Sequence, residues 1–117
     1  MSVELDAQAF AELVDDVFDT IPQHVLDELD NVVFVIEDRC ADGSTDLLGE
    51  YDGLALTERT DYGLGDLPDR IVLYRIALLE HCADLDELRH EVHVTLLHEI
   101  GHYFGLEEHR LHELGWG

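Results

Sequence analysis

Lysine is absent from this sequence, and its six basic residues are all arginines. Against them stand 28 aspartates and glutamates, so the formal net charge is −22. So acidic a surface repels the phosphate backbone of nucleic acids, and no basic stripe is present to release counterions from it. The same repulsion opposes adsorption to an anionic membrane surface. We therefore expect neither nucleic acid nor membrane among the partners, and we expect the charge to serve mainly solubility.

Cysteines and long apolar runs are also scarce. Cys40 and Cys82 are far apart and belong to no C-x-x-C pair, so neither fits a recognisable metal or redox motif. The longest apolar run, residues 32–36, is much too short to span a membrane. The acidic N-terminus lacks the positive charge of a signal peptide. These absences predict a cytoplasmic protein.

A strongly acidic chain can be intrinsically disordered, but we do not expect disorder here, because 46% of the residues are hydrophobic. A length of 117 residues is typical of one domain with one core. We therefore predict a single domain over residues 1–117.

The apolar spacing predicts two helices, then three strands, then further helices. Asp6 is a suitable N-cap for an amphipathic helix over residues 7–19, and Pro22 can occupy the first turn of a short helix that ends at Leu29. β-Branched and apolar runs predict strands, and residues 52–53 form a hairpin-type turn signal. The strands are predicted at residues 32–36, 47–51 and 70–74. This order predicts an α+β domain with a small mixed sheet.

The longest predicted helix begins at a pair resembling a capping box, Asp84 and Glu87. Its helical spacing continues to Phe104, and Gly105 is a fitting C-cap. Shorter helical segments are predicted before and after it, at residues 76–81 and 107–114.

Six of the eight histidines lie between residues 90 and 112, and among them stands the run His98-Glu99-Ile100-Gly101-His102. Residues i and i+4 of a helix lie one above the other, so both histidines can present a ring nitrogen to one ion. Glu99 lies beside them and can accept a proton from a metal-bound water. This H-E-x-x-H arrangement is typical of zinc hydrolases and predicts a zinc cofactor, two histidine ligands and a catalytic glutamate.

Two adjacent residues compete to be the third zinc ligand. Glu108 follows His98 by ten positions, which is the spacing of the third ligand in the H-E-x-x-H-x-x-G-x-x-H pattern. His109 follows by eleven, and imidazole is the commoner zinc ligand. We favour Glu108 on spacing and keep His109 as the alternative. The single methionine is Met1, so a methionine turn beneath the metal, as in metzincins, is excluded.

Residues 98–108, followed by 110–111, resemble the motif of a bacterial family of small zincin-like metallopeptidases, the minimal metalloproteases, whose pattern is H-E-x-x-H-x-x-G-x-x-D. The likeness covers nearly the whole chain, with further matching stretches at residues 10–14, 30–33, 47–51, 56–59 and 68–71. The resemblance implies a zincin-like fold and zinc-dependent peptidase activity. The residues that it implies for the site are the ligands His98 and His102, the catalytic Glu99 and a third ligand at position 108. This sequence departs from the pattern there, because Glu108 replaces the family's aspartate and its extra methylene shifts the carboxylate.

Several other polar residues are candidates for supporting roles. Tyr62, Tyr74 and Tyr103 can each donate a hydrogen bond to an oxyanion, although a packed ring with a solvated hydroxyl is the favoured interpretation for each. His112 follows His109 by three residues and can support a metal ligand by a hydrogen bond.

Two further pairs are assigned structural roles. His90 and His93 face each other only loosely on a helix, so we interpret them as surface or structural residues. Arg59 and Arg75 can each bind a substrate carboxylate, but a local salt bridge is favoured for both.

The leading hypothesis is a zinc peptidase acting on a peptide or protein substrate, which would add to an exposed edge strand at residues 47–51 or 70–74. The alternative is a non-catalytic metal-binding protein that acts through a partner, for which a closed site using both Glu108 and His109 would be the sign. A metal-dependent ribonuclease is a third class, because one small rRNA-maturation family also uses a His-x-x-x-His site. That family lacks a glutamate after its first histidine, and the acidity of this chain counts against it.

Overall fold

Helices pack against a small mixed sheet in the computed structural model, which describes residues 3–53 and 68–114, the side chains of Glu108, His112 and Leu114 excepted. The described elements, in chain order, are α1 (Ala7–Phe18), α2 (Gln23–Asp27), β1 (Val32–Glu37), β2 (Gly49–Asp52), β3 (Asp69–Tyr74), α3 (Arg75–His81), α4 (Leu85–Tyr103) and α5 (Glu108–Leu114). The predicted α+β class, with an N-terminal helix pair, three strands, a long helix and a short final helix, is confirmed.

Helix α1 covers the core through the face that the spacing predicts. The side chain of Asp6 caps it, because one carboxylate oxygen accepts a hydrogen bond from the Ala9 N–H at 2.8 Å. Its buried residues recur at intervals of three and four positions and are Phe10, Leu13, Val14 and Val17. This face packs against α4.

The three described strands have the order β1-β3-β2, with β1 parallel and β2 antiparallel to β3. Strand β3 is therefore central, and its residues 71–74 are buried. One expectation is wrong: residues 70–74 cannot serve as an edge for an added peptide, because neighbours occupy both sides of β3. Strand β2 is the edge on the side that faces α4.

The turn signal after β2 correctly marks the end of the strand but not the length of the connection to its partner. Strand β2 ends at Asp52, which pairs with Arg70, so residues 53–68 connect two strands that a tight hairpin would join directly. Residues 54–67 lie outside the described ranges, and with them the roles considered for Arg59 and Tyr62.

Helix α4 begins and ends as its sequence predicts. Asp84 accepts a hydrogen bond from the Glu87 N–H at 2.8 Å. At the other end Gly105 has a φ of +81°, and the N–H groups of Gly105 and Leu106 donate to the carbonyls of His102 and Gly101, each at 3.0 Å. These bonds form a Schellman motif. No helix in the described ranges is both long and apolar enough to cross a membrane.

Both cysteines are free thiols and do not pair. Cys82 ends α3 and is 1% exposed. Burial is the main cause that raises its pKa from 9.0 to about 11. Cys40, in the loop after β1, donates to a carboxylate oxygen of Asp42, and this hydrogen bond raises the pKa of Cys40.

Candidate active site

The two histidines of the motif converge on one side of α4. Their Nε2 atoms are 3.1 Å apart, and the ring planes meet at 82°. Two nitrogens bound to one tetrahedral zinc ion at about 2.05 Å lie roughly 3.3 Å from each other. The separation of His98 and His102 therefore fits two ligands of a single ion, and their imidazole nitrogens are donors that zinc accepts.

A close helix contact brings the start of α5 towards this histidine pair. Leu111 of α5 is fully buried, and a Cβ added at Gly101 would overlap its Cδ2 atom. Gly101 lies between the two histidines, so α5 packs directly on the turn of α4 that carries them. Position 108 is the first residue of α5 and lies three residues before Leu111, on the same helix face.

The third ligand stays a prediction. The side chains of Glu108 and His112 lie outside the described residues. His109 is exposed, with its Nδ1 atom 3.5 Å from a carboxylate oxygen of Glu107. Within the described parts of the chain, no three His, Cys, Asp or Glu side chains are grouped closely enough to hold a metal.

Glu99 is nearly buried, with 7% of its surface exposed, and it lies beneath the edge strand. Its neighbours on the same face of α4, four residues away on either side, are Thr95 and Tyr103. Thr95 packs against Gly49 of β2, while the Tyr103 ring packs edge-on against Tyr51, with the ring centres 6.2 Å apart. Strand β2 therefore runs alongside α4 over the two turns between Thr95 and Tyr103, which carry Glu99.

The absence of a side chain at Gly49 permits this close approach of β2 to α4. A Cβ built there would lie 2.6 Å from the Cγ2 atom of Thr95 and 3.0 Å from the carbonyl oxygen of Val72. The second contact is with backbone of the central strand, which cannot move aside. Any larger residue at position 49 would thus push the edge strand away from α4.

A cleft of about 240 Å³ lies where β2 and the loop before it meet α4. Leu47, Leu48 and Gly49 line one wall. The helix supplies the other wall through Glu91, Val94, Thr95, His98 and Glu99. Sequence reasoning assigned no role in the site to Glu91, Val94 or Thr95, although they precede His98 by seven, four and three residues and so lie on its side of the helix.

Two tyrosines considered as oxyanion donors have packed rings, as the favoured interpretation expects, but each hydroxyl has a protein partner where a solvated hydroxyl was expected. Tyr103 is 0% exposed, and its hydroxyl accepts a hydrogen bond from the Asp30 N–H at 3.0 Å. Tyr74 is buried and donates to a carboxylate oxygen of Glu50 at 2.8 Å. Burial and this bond raise the pKa of Tyr74.

Arg75, His90 and His93 lie away from the cleft. Arg75 forms the local salt bridge that is favoured for it, with its Nε atom 3.0 Å from a carboxylate oxygen of Asp38. Its Nη1 atom also donates to the Leu5 carbonyl at 2.8 Å. His90 and His93 line a separate depression between α1 and α4.

A sequence model of zincin-like metallopeptidases matches residues 29–116, from just before β1 to beyond α5. The chain belongs to the zincin-like metallopeptidase family. A solved structure of a conserved hypothetical protein from Thermo thermophilus is similar to this zincin-like protein, with a TM-score of 0.59 and 28% sequence identity. The similarity covers 86% of this chain and 94% of that one. No curated protein matches the chain significantly. At the level of the family, the membership supports a zinc-dependent metallopeptidase.

Proposed function

We propose that this zincin-like protein is a single-zinc peptidase that hydrolyses bonds in extended peptide segments. The observation that carries the proposal is the 3.1 Å separation of the His98 and His102 Nε2 atoms, beside a nearly buried Glu99 under an edge strand. In the absence of an ion the two rings can share a hydrogen bond at this distance, and the same spacing suits two nitrogens that bind one zinc ion.

In this proposal His98 and His102 hold the zinc ion, and Glu108 completes the protein ligands from the start of α5, with His109 as the alternative. Two imidazoles and one carboxylate form a donor set that zinc hydrolases use, and it leaves a fourth position for water. The packing of Leu111 on Gly101 supports the choice of a residue in the first turn of α5.

When bound, zinc would polarise the scissile carbonyl and make water a better nucleophile. Glu99 would take one proton from a water molecule as the oxygen of that water bonds to the carbonyl carbon. The same carboxyl group then gives the proton to the amide nitrogen as the C–N bond breaks, so one residue acts as base and then as acid. The near burial of Glu99 under β2 keeps bulk water from competing for this proton.

Strand β2 supplies the place for the substrate. Its side away from β3 has no partner strand in the described sheet, so an extended segment can bond to its backbone there and lie along the cleft. Because the cleft is small, short peptides and flexible termini fit better than folded proteins.

The test is cleavage of a degenerate peptide library by zinc-loaded protein, with zinc content measured on each variant. Glu99→Gln should lower turnover by about 10²–10⁴-fold while one zinc per chain is retained. His98→Ala should lose both zinc and cleavage. The matched control is Glu12→Gln, which removes the same charge from an exposed position on α1. Undiminished cleavage by Glu99→Gln would refute the role of Glu99, and tight zinc binding with no cleavage by the parent would favour the non-catalytic alternative.

A further inference from the structure

The cleft beside Glu99 has two chemically different ends. At one end lie His98 and Glu99, and at the other lies Glu91, seven residues earlier on α4. The wall between them is aliphatic and comes from Leu47, Leu48 and Val94. Leu47 is 42% exposed, so part of this apolar wall is open to solvent.

Glu91 is the one acidic residue of the lining that the proposed reaction does not use. Its side chain is 24% exposed and therefore partly shielded from solvent. Within the described residues, the group facing its carboxylate at ion-pair distance is the His81 imidazole, at 3.9 Å. None of the described arginines forms an ion pair with it. The cleft thus contains a carboxylate without a permanently charged partner.

The spacing of the two ends matches an extended peptide. Seven residues of α-helix advance roughly 10 Å, and an extended chain advances about 3.3 Å per residue. A peptide lying along the cleft with its scissile carbonyl beside His98 would therefore place a residue about three positions away next to Glu91. A lysine or arginine side chain is long enough to bridge one further residue.

We propose that the cleft selects peptides with a lysine or arginine two or three residues to one side of the cleaved bond, with Glu91 contacting the cation. An aliphatic side chain of the substrate packs between, against Leu47, Leu48 and Val94. The net charge of −22 adds a long-range attraction for such peptides, while Glu91 makes the attraction specific to one position. This inference rests on the proposed peptidase function.

Binding can be measured without turnover. Zinc-loaded Glu99→Gln protein is titrated with labelled nine-residue peptides that carry one arginine at each position in turn around a central leucine. Each peptide is paired with a version in which neutral citrulline, nearly the same shape, replaces arginine. At low salt we expect arginine to improve affinity by about 3- to 10-fold at one position. This advantage should shrink at about 0.5 M salt, because the screening length is already about 10 Å at roughly 0.1 M and is shorter still at the higher concentration.

Two further substitutions in the Glu99→Gln protein test whether Glu91 causes this preference for arginine. Glu91→Gln should remove the advantage of arginine at that position, whereas Glu12→Gln, with the same change in net charge, should leave it intact. With Glu99 restored, the cleavage profile of the parent should show the same position enriched in lysine and arginine, and Glu91→Arg should shift it towards acidic residues.

The outcomes separate this inference from the peptidase function. Equal affinity for arginine and citrulline peptides, failure of all peptides to bind, or an arginine preference that survives Glu91→Gln would each overturn the inference. Cleavage that depends on Glu99 but ignores charge would leave the peptidase function standing alone. Positional binding of arginine without any cleavage by the parent would support the cleft's selectivity and count against the peptidase function.

Discussion

Gly101 and Leu111 are packed so closely that one additional methyl group on the glycine would overlap the leucine side chain. Leu111 is 0% exposed, so its side chain cannot move aside into solvent and would have to repack within the core. This contact fixes α5 against the turn of α4 between His98 and His102. The glycine of the His-Glu-Ile-Gly-His run therefore has a packing role that is separate from metal chemistry.

Gly101→Ala should destabilise the protein by about 1–3 kcal/mol, because it overfills this contact. Chemical denaturation of the metal-free protein measures the change, and zinc affinity should fall with it as α5 is displaced. Leu111→Ala makes space for the new methyl group. In the Leu111→Ala background the same glycine substitution should therefore cost much less, and equal costs in the two backgrounds would contradict the contact.

Gly105→Ala should cost about 1–2 kcal/mol, because residue 105 has a φ of +81°, where a Cβ is strained. Gly105→Asn should be tolerated better, since asparagine adopts this conformation more readily. In thermal unfolding we expect the parent to have the highest melting temperature, followed by Gly105→Asn and then Gly105→Ala. Equal stability for the alanine and asparagine variants would contradict the idea that Gly105 is needed to avoid backbone strain at the end of α4.

Tyr103→Phe tests whether the phenol hydroxyl has a structural or a catalytic role. We expect a loss of about 1–2 kcal/mol in the free energy of unfolding, because the Asp30 N–H loses its acceptor. Turnover per folded molecule should stay within about twofold of the parent. Loss of a true oxyanion donor lowers kcat by about 10²–10³-fold, and a fall of that size would restore the oxyanion role to Tyr103.

Stability should fall as the pH rises through the range in which Cys82 ionises. Its pKa is raised from 9.0 to about 11 in the folded protein, so its contribution is complete below pH 9 and is lost between 9 and 11. A rise of this size corresponds to roughly 2–3 kcal/mol of unfolding free energy. Denaturant titrations from pH 8 to 11 measure it, with Cys82→Ala as the variant that should show a smaller decline. An equally steep decline in that variant would exclude Cys82 as its source.

The raised pKa of Tyr74 adds a further loss of folding stability at still higher pH, because the phenol is buried and bonded to Glu50 in its neutral form.

The reactivity of Cys40 can be compared with that of Cys82 in the same protein. Its thiol lies at the surface loop and should react with a disulfide reagent in the folded protein, whereas Cys82 should react only after unfolding.

Local sequence signals predicted the ends of the helices well. Asp6, Asp84 and Gly105 act on backbone groups within a few residues of themselves, so their effect does not depend on the rest of the fold. The histidine pair was predictable for the same reason, since four residues of helix bring His98 and His102 together wherever the helix lies.

Strand pairing was not predictable in this way. The apolar run at residues 70–74 looks the same in the sequence whether its strand is central or at an edge. Only the parallel pairing with β1 and the antiparallel pairing with β2 decide that it is central. The turn signal at residues 52–53 likewise marks the end of a strand but says nothing about how far along the chain its partner begins.

By itself, the sequence predicted the class of fold, from the order of its helical and strand patterns, and the helix that carries the motif, from capping residues that act within about one helical turn. The residues that would hold and use a metal stay a prediction from the motif. The tertiary structure alone decided that Gly49 lets an edge strand lie over Glu99, and that Leu111 packs α5 onto Gly101. It also made Glu91 one end of a cleft. These relations join residues far apart in the chain, and such contacts follow from how whole elements pack rather than from any local pattern.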